Sequence, residues 1–365
     1  MMRRLLCGLA AAVLLGTGLS TAPAVADPPH NPGGPCIQPN QHQSLESVYF
    51  YEDVVQELDR IEQSSHGLVT VDSAGQSGQG RELLYATVGT GDTVFWIQGR
   101  IHGNERLGTQ SALAILKWLT SGHPDAKLIR ENLTVIVIPM YNPDGAEFLT
   151  ASGLRGIRGS VTPNFNLDLN RDWGPEPAPG FGSQGPFAQP ESRAWWALFA
   201  ETLPNYALDY HHVGEAHVVQ GTDDLTQLQI GHRPIAISAF TDEQWQTNRA
   251  MVMVVKEAVE SLGVITPTLY GPAQNPAFHI PNAVISTMLL GDSAPPGEQV
   301  PDHRVNGALF FEFRSVGQKS SGLLVETHVR PTKALLTAVA DGSLAGVDIS
   351  GFDDIPFPQA VPCGT

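Results

Sequence analysis

Cysteine is almost missing from this chain: three in 365 residues, too few for a disulfide framework. Basic residues are scarce as well. Lys and Arg number 21 against 37 Asp and Glu, a formal net charge of -16, which argues against nucleic acid or an anionic membrane as partner. Beyond Leu19 no apolar run is long enough to span a bilayer, so no stable membrane association is expected. Neither an internal repeat nor a heptad pattern is present, which excludes solenoids and coiled coils.

What the chain does have begins at its first residues. Arg3 and Arg4 precede an apolar stretch, Leu5 to Leu19, and Ala24-Val25-Ala26 supplies a small-x-small cleavage pattern. Residues 1–26 therefore read as an export signal, and the protein as secreted. Cys7 opens the apolar stretch rather than following it, unlike a lipoprotein cysteine. Cleavage leaves Cys36 and Cys363, and an oxidising compartment invites a disulfide between the Pro- and Asn-rich extension, 27–44, and the Pro-rich tail, 345–365. Two free thiols are the alternative. Between these ends, residues 45–344 are enough for one large core.

Periodicity within that stretch alternates. Leu45 to Ser64 has helical spacing, while Leu68 to Ser73 and Leu83 to Val88 read as a hairpin around a Gly/Ser-rich turn. Val94 to Gly99 and Leu133 to Pro139 are continuous apolar runs of strand length, with a helix from Gly108 to Leu119 between them. Ala207 to Tyr210 and Ala308 to Phe313 look like further central strands, and Glu243 to Leu262 and Thr332 to Ala340 like covering helices. The fold class expected is α/β: a single domain with a mixed, largely parallel twisted sheet and helices on both faces. Sites in such sheets sit outside the carboxyl ends of the strands, where His102, Asn142, His211 and Glu312 all fall.

His102-Gly103-Asn104-Glu105 places an imidazole and a carboxylate on the turn leaving a buried strand, within reach of one metal ion. His211 is the candidate third ligand, and a catalytic zinc takes three protein ligands and keeps one position for water. Four segments together resemble the zinc metallocarboxypeptidase family that includes the pancreatic carboxypeptidases. They are His102 to Glu105, Tyr141-Asn-Pro-Asp-Gly145, Asn166-Leu-Asp-Leu-Asn-Arg-Asp-Trp173 and Phe311-Glu-Phe-Arg314. The likeness runs from about Leu45 to Leu344 and makes 45–344 the catalytic domain.

That resemblance implies a secreted hydrolase that uses one Zn²⁺ and takes peptide substrates with a free C-terminal carboxylate. It implies His102, Glu105 and His211 as zinc ligands, with His211 preferred to His212 because it follows the Asp-x-His pattern at a strand end. His212 then faces the opposite way. Asp144 is expected to hold the free nitrogen of His102. Glu312 is the implied general base, preferred to Glu326 because a closing helix starting near Pro331 would leave Glu326 too little chain. Arg171, beside Asn170, is implied to grip the terminal carboxylate. Arg155 is implied to polarise the scissile carbonyl, with Arg158 in reserve.

The chain also departs from the family. No tyrosine lies between Gly271 and Glu312 to serve as the pancreatic enzymes' mobile cap, which leaves the role unfilled or passes it to His303 or another residue. Asp292, Glu298 and Asp302 would suit a basic terminal residue, or are solvated loop acids. No stretch of inhibitory-propeptide length precedes the catalytic part, so activation beyond signal removal is not expected. Two other readings stay open: a zinc amidase acting on cell-wall peptides or acyl amino acids, and a non-catalytic secreted binding protein on the same scaffold.

Overall fold

The computed structural model describes residues 49–360 apart from 152, 154, 176–185, 214–216, 225, 227, 264, 272–279, 281 and 315–320. The export signal, Cys36 and Cys363 lie outside the described residues.

In chain order the first elements are α1 (Tyr51–Ser64), β1 (Val69–Gln76), β2 (Glu82–Val88), β3 (Thr93–Gly99), α2 (Leu107–Leu119), α3 (Pro124–Asn132), β4 (Leu133–Ile138) and α4 (Pro143–Glu147). There follow α5 (Pro190–Thr202), β5 (Tyr206–Val213), β6 (His217–Val219), β7 (Leu228–Gly231), α6 (Asp242–Glu260) and β8 (Thr268–Leu269). The last are α7 (Val284–Leu290), β9 (Gly307–Arg314), α8 (Ser321–Ala340) and β10 (Pro358–Ala360).

Eight strands form one sheet in the order β1-β2-β4-β3-β5-β9-β7-β8. Its centre, β4-β3-β5-β9, is parallel, and antiparallel pairing enters at β1/β2, β2/β4 and β7/β9. Continuous apolar runs suit this centre, because strands covered on both faces have no wet side to alternate with. One face buries Val54 and Leu58 of α1, Leu113 and Leu116 of α2, Val255 of α6 and Leu335 of α8. The other buries Trp195 and Phe199 of α5 and Ile285 and Met288 of α7, with Trp96 and Trp173. The expected α/β sandwich is the fold observed.

Three local features differ from the sequence reading. The last helix starts at Ser321, ten residues before Pro331, which sits inside α8. A short helix, α4, forms from Asn-Pro-Asp-Gly, with Pro143 in the first turn and the Asn142 side chain accepting from the Gly145 amide at 2.8 Å. The Pro-rich tail is part of the body through residue 360. Phe352 and Ile355 are buried in the main core, and β10 pairs with β6. Prolines there drew attention away from an apolar series, Leu344, Val347, Ile349, Phe352 and Ile355, which supplies the anchoring.

Candidate metal centre

β3 ends at Gly99, and the chain turns through His102 to Glu105 before entering α2. The turn is tight: a Cβ on Gly103 would stand 2.2 Å from the carbonyl carbon of Gly145, so only glycine fits. On β5, Asp209 and His211 share one face of the sheet, and Tyr210 and His212 the other. β9 runs parallel beside it with Glu312 directly opposite His211.

These elements bring the three expected ligands together. Donor atoms of His102, Glu105 and His211 all lie within 4.8 Å of one another, and all three residues are buried. His102 Nδ1 is 2.7 Å from Glu105 Oε1 and 3.3 Å from His211 Nδ1, which is 3.2 Å from Glu105 Oε2. Ligands about 2.0–2.1 Å from a tetrahedral zinc stand roughly 3.3 Å apart, so the spacing fits. The outer nitrogens strengthen the fit. His102 Nε2 faces Asp168 at 3.2 Å and His211 Nε2 faces Asp209 at 2.7 Å. Carboxylates there hold the protons on Nε2 and turn both Nδ1 lone pairs to the same space, as behind zinc-bound imidazoles.

Charge leads to the same conclusion. Burial by itself would lower the His102 pKa, but Glu105 and Asp168 outweigh it and raise it. Burial likewise works against His211⁺, and Asp209 and Glu105 raise that pKa well above the ordinary value. Burial opposes ionisation of Glu105, yet the two imidazoles hold it well below the carboxylate range. The pocket therefore demands positive charge, which a divalent cation satisfies better than protons crowded on facing nitrogens.

Asp168, then, backs His102, and Asp144 does not. Asp144 is buried elsewhere, accepting from Ser77 Oγ (2.8 Å) and the Gln79 amide (2.7 Å) and pairing with Arg81 (2.7 Å). His212 points away from the centre as expected. Its Nε2 accepts from the Leu107 amide at 3.1 Å, while its own amide donates to Glu105 Oε2 at 3.1 Å.

A cavity of about 420 Å³, counting its open mouth, lies over this cluster. Arg158, Asn170, Arg171 and Glu312 line it together with His102 and His211. Burial pushes the Glu312 carboxyl up to about 7; His211 opposes the rise and Glu105 adds to it. Burial pulls the Arg171 pKa down, against the nearby Asp168. Asn170 Oδ1 accepts from the Val284 amide at 3.1 Å, tying this corner to α7. Arg158 is half exposed; its Nε donates to Asp168 Oδ2 at 3.0 Å and its Nη1 stands 3.7 Å from Glu105.

Arg155 is not brought to the cavity. It pairs with Glu147 at 2.9 Å and lies over the Phe50 ring, so the reserve, Arg158, takes the position beside the ligands. Glu326 is on α8, paired with Arg330 at 3.3 Å and far from the base position. His303 bonds the Pro204 carbonyl at 2.7 Å, and Asp292, Glu298 and Asp302 are exposed; none of the four lines the cavity. Besides Asp168, sequence reasoning missed Tyr270, just after β8, which lines the cavity and meets Phe310 edge to face at 4.9 Å. It falls one position before the stretch searched for a tyrosine, and its place after a short strand was the signal available.

With this geometry in hand, comparison with known proteins decides the family. A model described as "Zinc carboxypeptidase" matches residues 54–278, more than half of the chain. The chain belongs to the zinc carboxypeptidase family. A "Zinc carboxypeptidase" of Saccharothrix mutabilis subsp. capreolus is 31% identical over 137 residues, 34% of this chain and 32% of that protein. "Cytosolic carboxypeptidase 6" of Mus musculus is 31% identical over 133 residues, 34% of this chain and 23% of that one. The chain thus spans about a third or less of the length of these curated relatives. Among solved structures, carboxypeptidase A from Helicoverpa armigera shares the fold with a TM-score of 0.58 at 17% identity, covering 84% of this chain and 76% of that one. The residues matched by the family model include His102, Glu105, Arg158, Asn170, Arg171 and His211 but stop before Glu312.

Proposed function

We propose that this protein is a secreted zinc-dependent metallocarboxypeptidase that hydrolyses the C-terminal peptide bond of peptides. The observation that carries the reading is the convergent donor set of His102, Glu105 and His211 at the floor of one cavity, with His102, His211, Glu312 and two arginines lining it. A single zinc ion on those three residues would supply Lewis-acid polarisation of the scissile carbonyl and activation of water. Arg171 and Asn170 hold the terminal carboxylate, a guanidinium being suited to two parallel bonds with it. Arg158 steadies the negative charge that develops on the carbonyl oxygen. Glu312 takes the proton from the attacking water and returns it to the leaving amine as the C–N bond breaks, so its carboxyl ends as it began. A carboxyl whose pKa sits near neutrality suits both transfers.

Selectivity follows from the rest of the wall. Pro234, Ile280, Ala283, Ile285 and Phe310 are the described apolar residues there, with no acid beyond those already assigned. A neutral, apolar terminal residue fits better than a basic one. Export is supported by Arg3-Arg4, the Leu5 to Leu19 stretch and Ala24-Val25-Ala26.

The test is zinc titration of metal-free protein while following hydrolysis of blocked dipeptides and of cell-wall peptides. Cleavage of blocked dipeptides with apolar termini is expected. Cleavage of cell-wall peptides alone would favour the amidase, and no cleavage with zinc bound would favour a binding protein.

A further inference from the structure

Arg100, two residues ahead of His102, carries two costs at once. It is wholly buried, and its φ of 60° lies in the left-handed region that non-glycine residues avoid. A buried guanidinium normally meets a carboxylate. Among the described residues this one bonds two backbone carbonyls instead: Nε donates to Gly103 O at 3.1 Å and Nη1 to Tyr49 O at 2.7 Å. Strain and an expensive charge at one residue point to a role worth keeping.

The partners name that role. Gly103 lies between the two ligands His102 and Glu105, so a bond to its carbonyl acts on the turn that carries both. Tyr49 is the residue through which the chain approaches α1, where the Tyr51 amide is also held, by Glu147 at 2.8 Å. Lysine could not reproduce the arrangement, because only a planar fork sends donors toward two carbonyls in different directions.

We propose that Arg100 is a positioning residue for the metal, its guanidinium latching the ligand-bearing turn to the segment that leads into α1. The latch holds His102 and Glu105 at the spacing one ion needs, so metal retention depends on how the N-terminal approach is docked. The inference rests on the zinc reading of the site.

The experiment is zinc affinity by chelator competition on the full chain, comparing the natural protein with Arg100→Met and Arg100→Lys, alongside melting of each metal-free form. Arg100→Met keeps the bulk and loses the donors. It is expected to bind zinc at least about tenfold more weakly, as when residues supporting a ligand are removed. Arg100→Lys should fall between, and KM at saturating zinc should stay unchanged. A merely structural role would lower the melting temperature of the metal-free form and spare the affinity. Zinc affinity of Arg100→Met within twofold of the natural protein overturns the proposal. Should that variant fail to fold, Arg100→Lys decides by the same measurement: a threefold or greater loss supports it, and a smaller one overturns it. Absence of zinc binding by the natural protein would instead sink the site reading itself.

Discussion

His211 and His212 are neighbours on one strand, both buried, yet their surroundings give them opposite characters. His211 turns toward Asp209 and Glu105, which raise its pKa well above the ordinary imidazole value despite burial. His212 turns into the core, where burial drives its pKa down to about 3, against Glu105. One pleat separates a candidate metal ligand from a packing residue. Surrounding charge, and not residue type, sets what each imidazole can do.

The largest break in that comparison should come from exchanging the two for alanine. His211→Ala removes a ligand and is expected to lower kcat/KM by about 10⁴-fold with loss of bound zinc, measured by metal analysis and dipeptide hydrolysis. His212→Ala should keep the zinc and lose stability, by about 1–3 kcal/mol for the stranded Leu107 amide. If both variants lost the metal equally, the separation by face would be wrong.

Glu312→Gln comes next: zinc content unchanged, kcat down about 10³-fold. Retention of near-normal rates would remove Glu312 as base. Then the two arginines: Arg158→Ala should cost about 10²-fold in kcat/KM, and Arg155→Ala, held away by Glu147, less than about threefold. The reverse order would restore Arg155.

The smallest effect extends the comparison to carboxylates. Glu105 is buried among imidazoles and pushed down, whereas Glu191 is buried beside Asp144 and Asp172 and pushed up from 4.5 to about 7, chiefly by burial. The folded state holds that proton more tightly than the unfolded chain. Its contribution to stability is therefore complete below pH 4.5 and lost as pH rises to about 7. Glu191→Gln cannot ionise, so it should be more stable than the natural protein at pH 8, by up to about 3 kcal/mol, with the gain vanishing toward pH 4.5. Thermal melts at the two pH values check the sign.

Which parts were legible follows the same physics. The convergence of His102, Glu105 and His211 could be read because a strand end, a short HxxE turn and an Asp-x-His pattern each leave a local mark. Asp168 could not be told from Asp144, since which carboxylate reaches an imidazole depends on how the connection between α4 and α5 folds back. Arg155 and Arg158 differ by three residues in a loop, where no periodicity says which one turns inward. Pro331 suggested a helix start because proline favours the first turn, but α8 tolerates it in its interior. In the tail, prolines hid the apolar residues that pin it to the core.

The parallel register that sets Glu312 opposite His211 has a consequence for when activity can exist. His102 and His211 are 109 positions apart, and the base comes from a strand later still. No fragment shorter than His102 through Glu312 contains the set, and a slip of one residue in β9 would turn Glu312 out of the cavity. On the reading proposed above, a chain still being threaded from one compartment to another would carry these groups dispersed and be harmless. It would acquire teeth only when the middle of its sheet had closed.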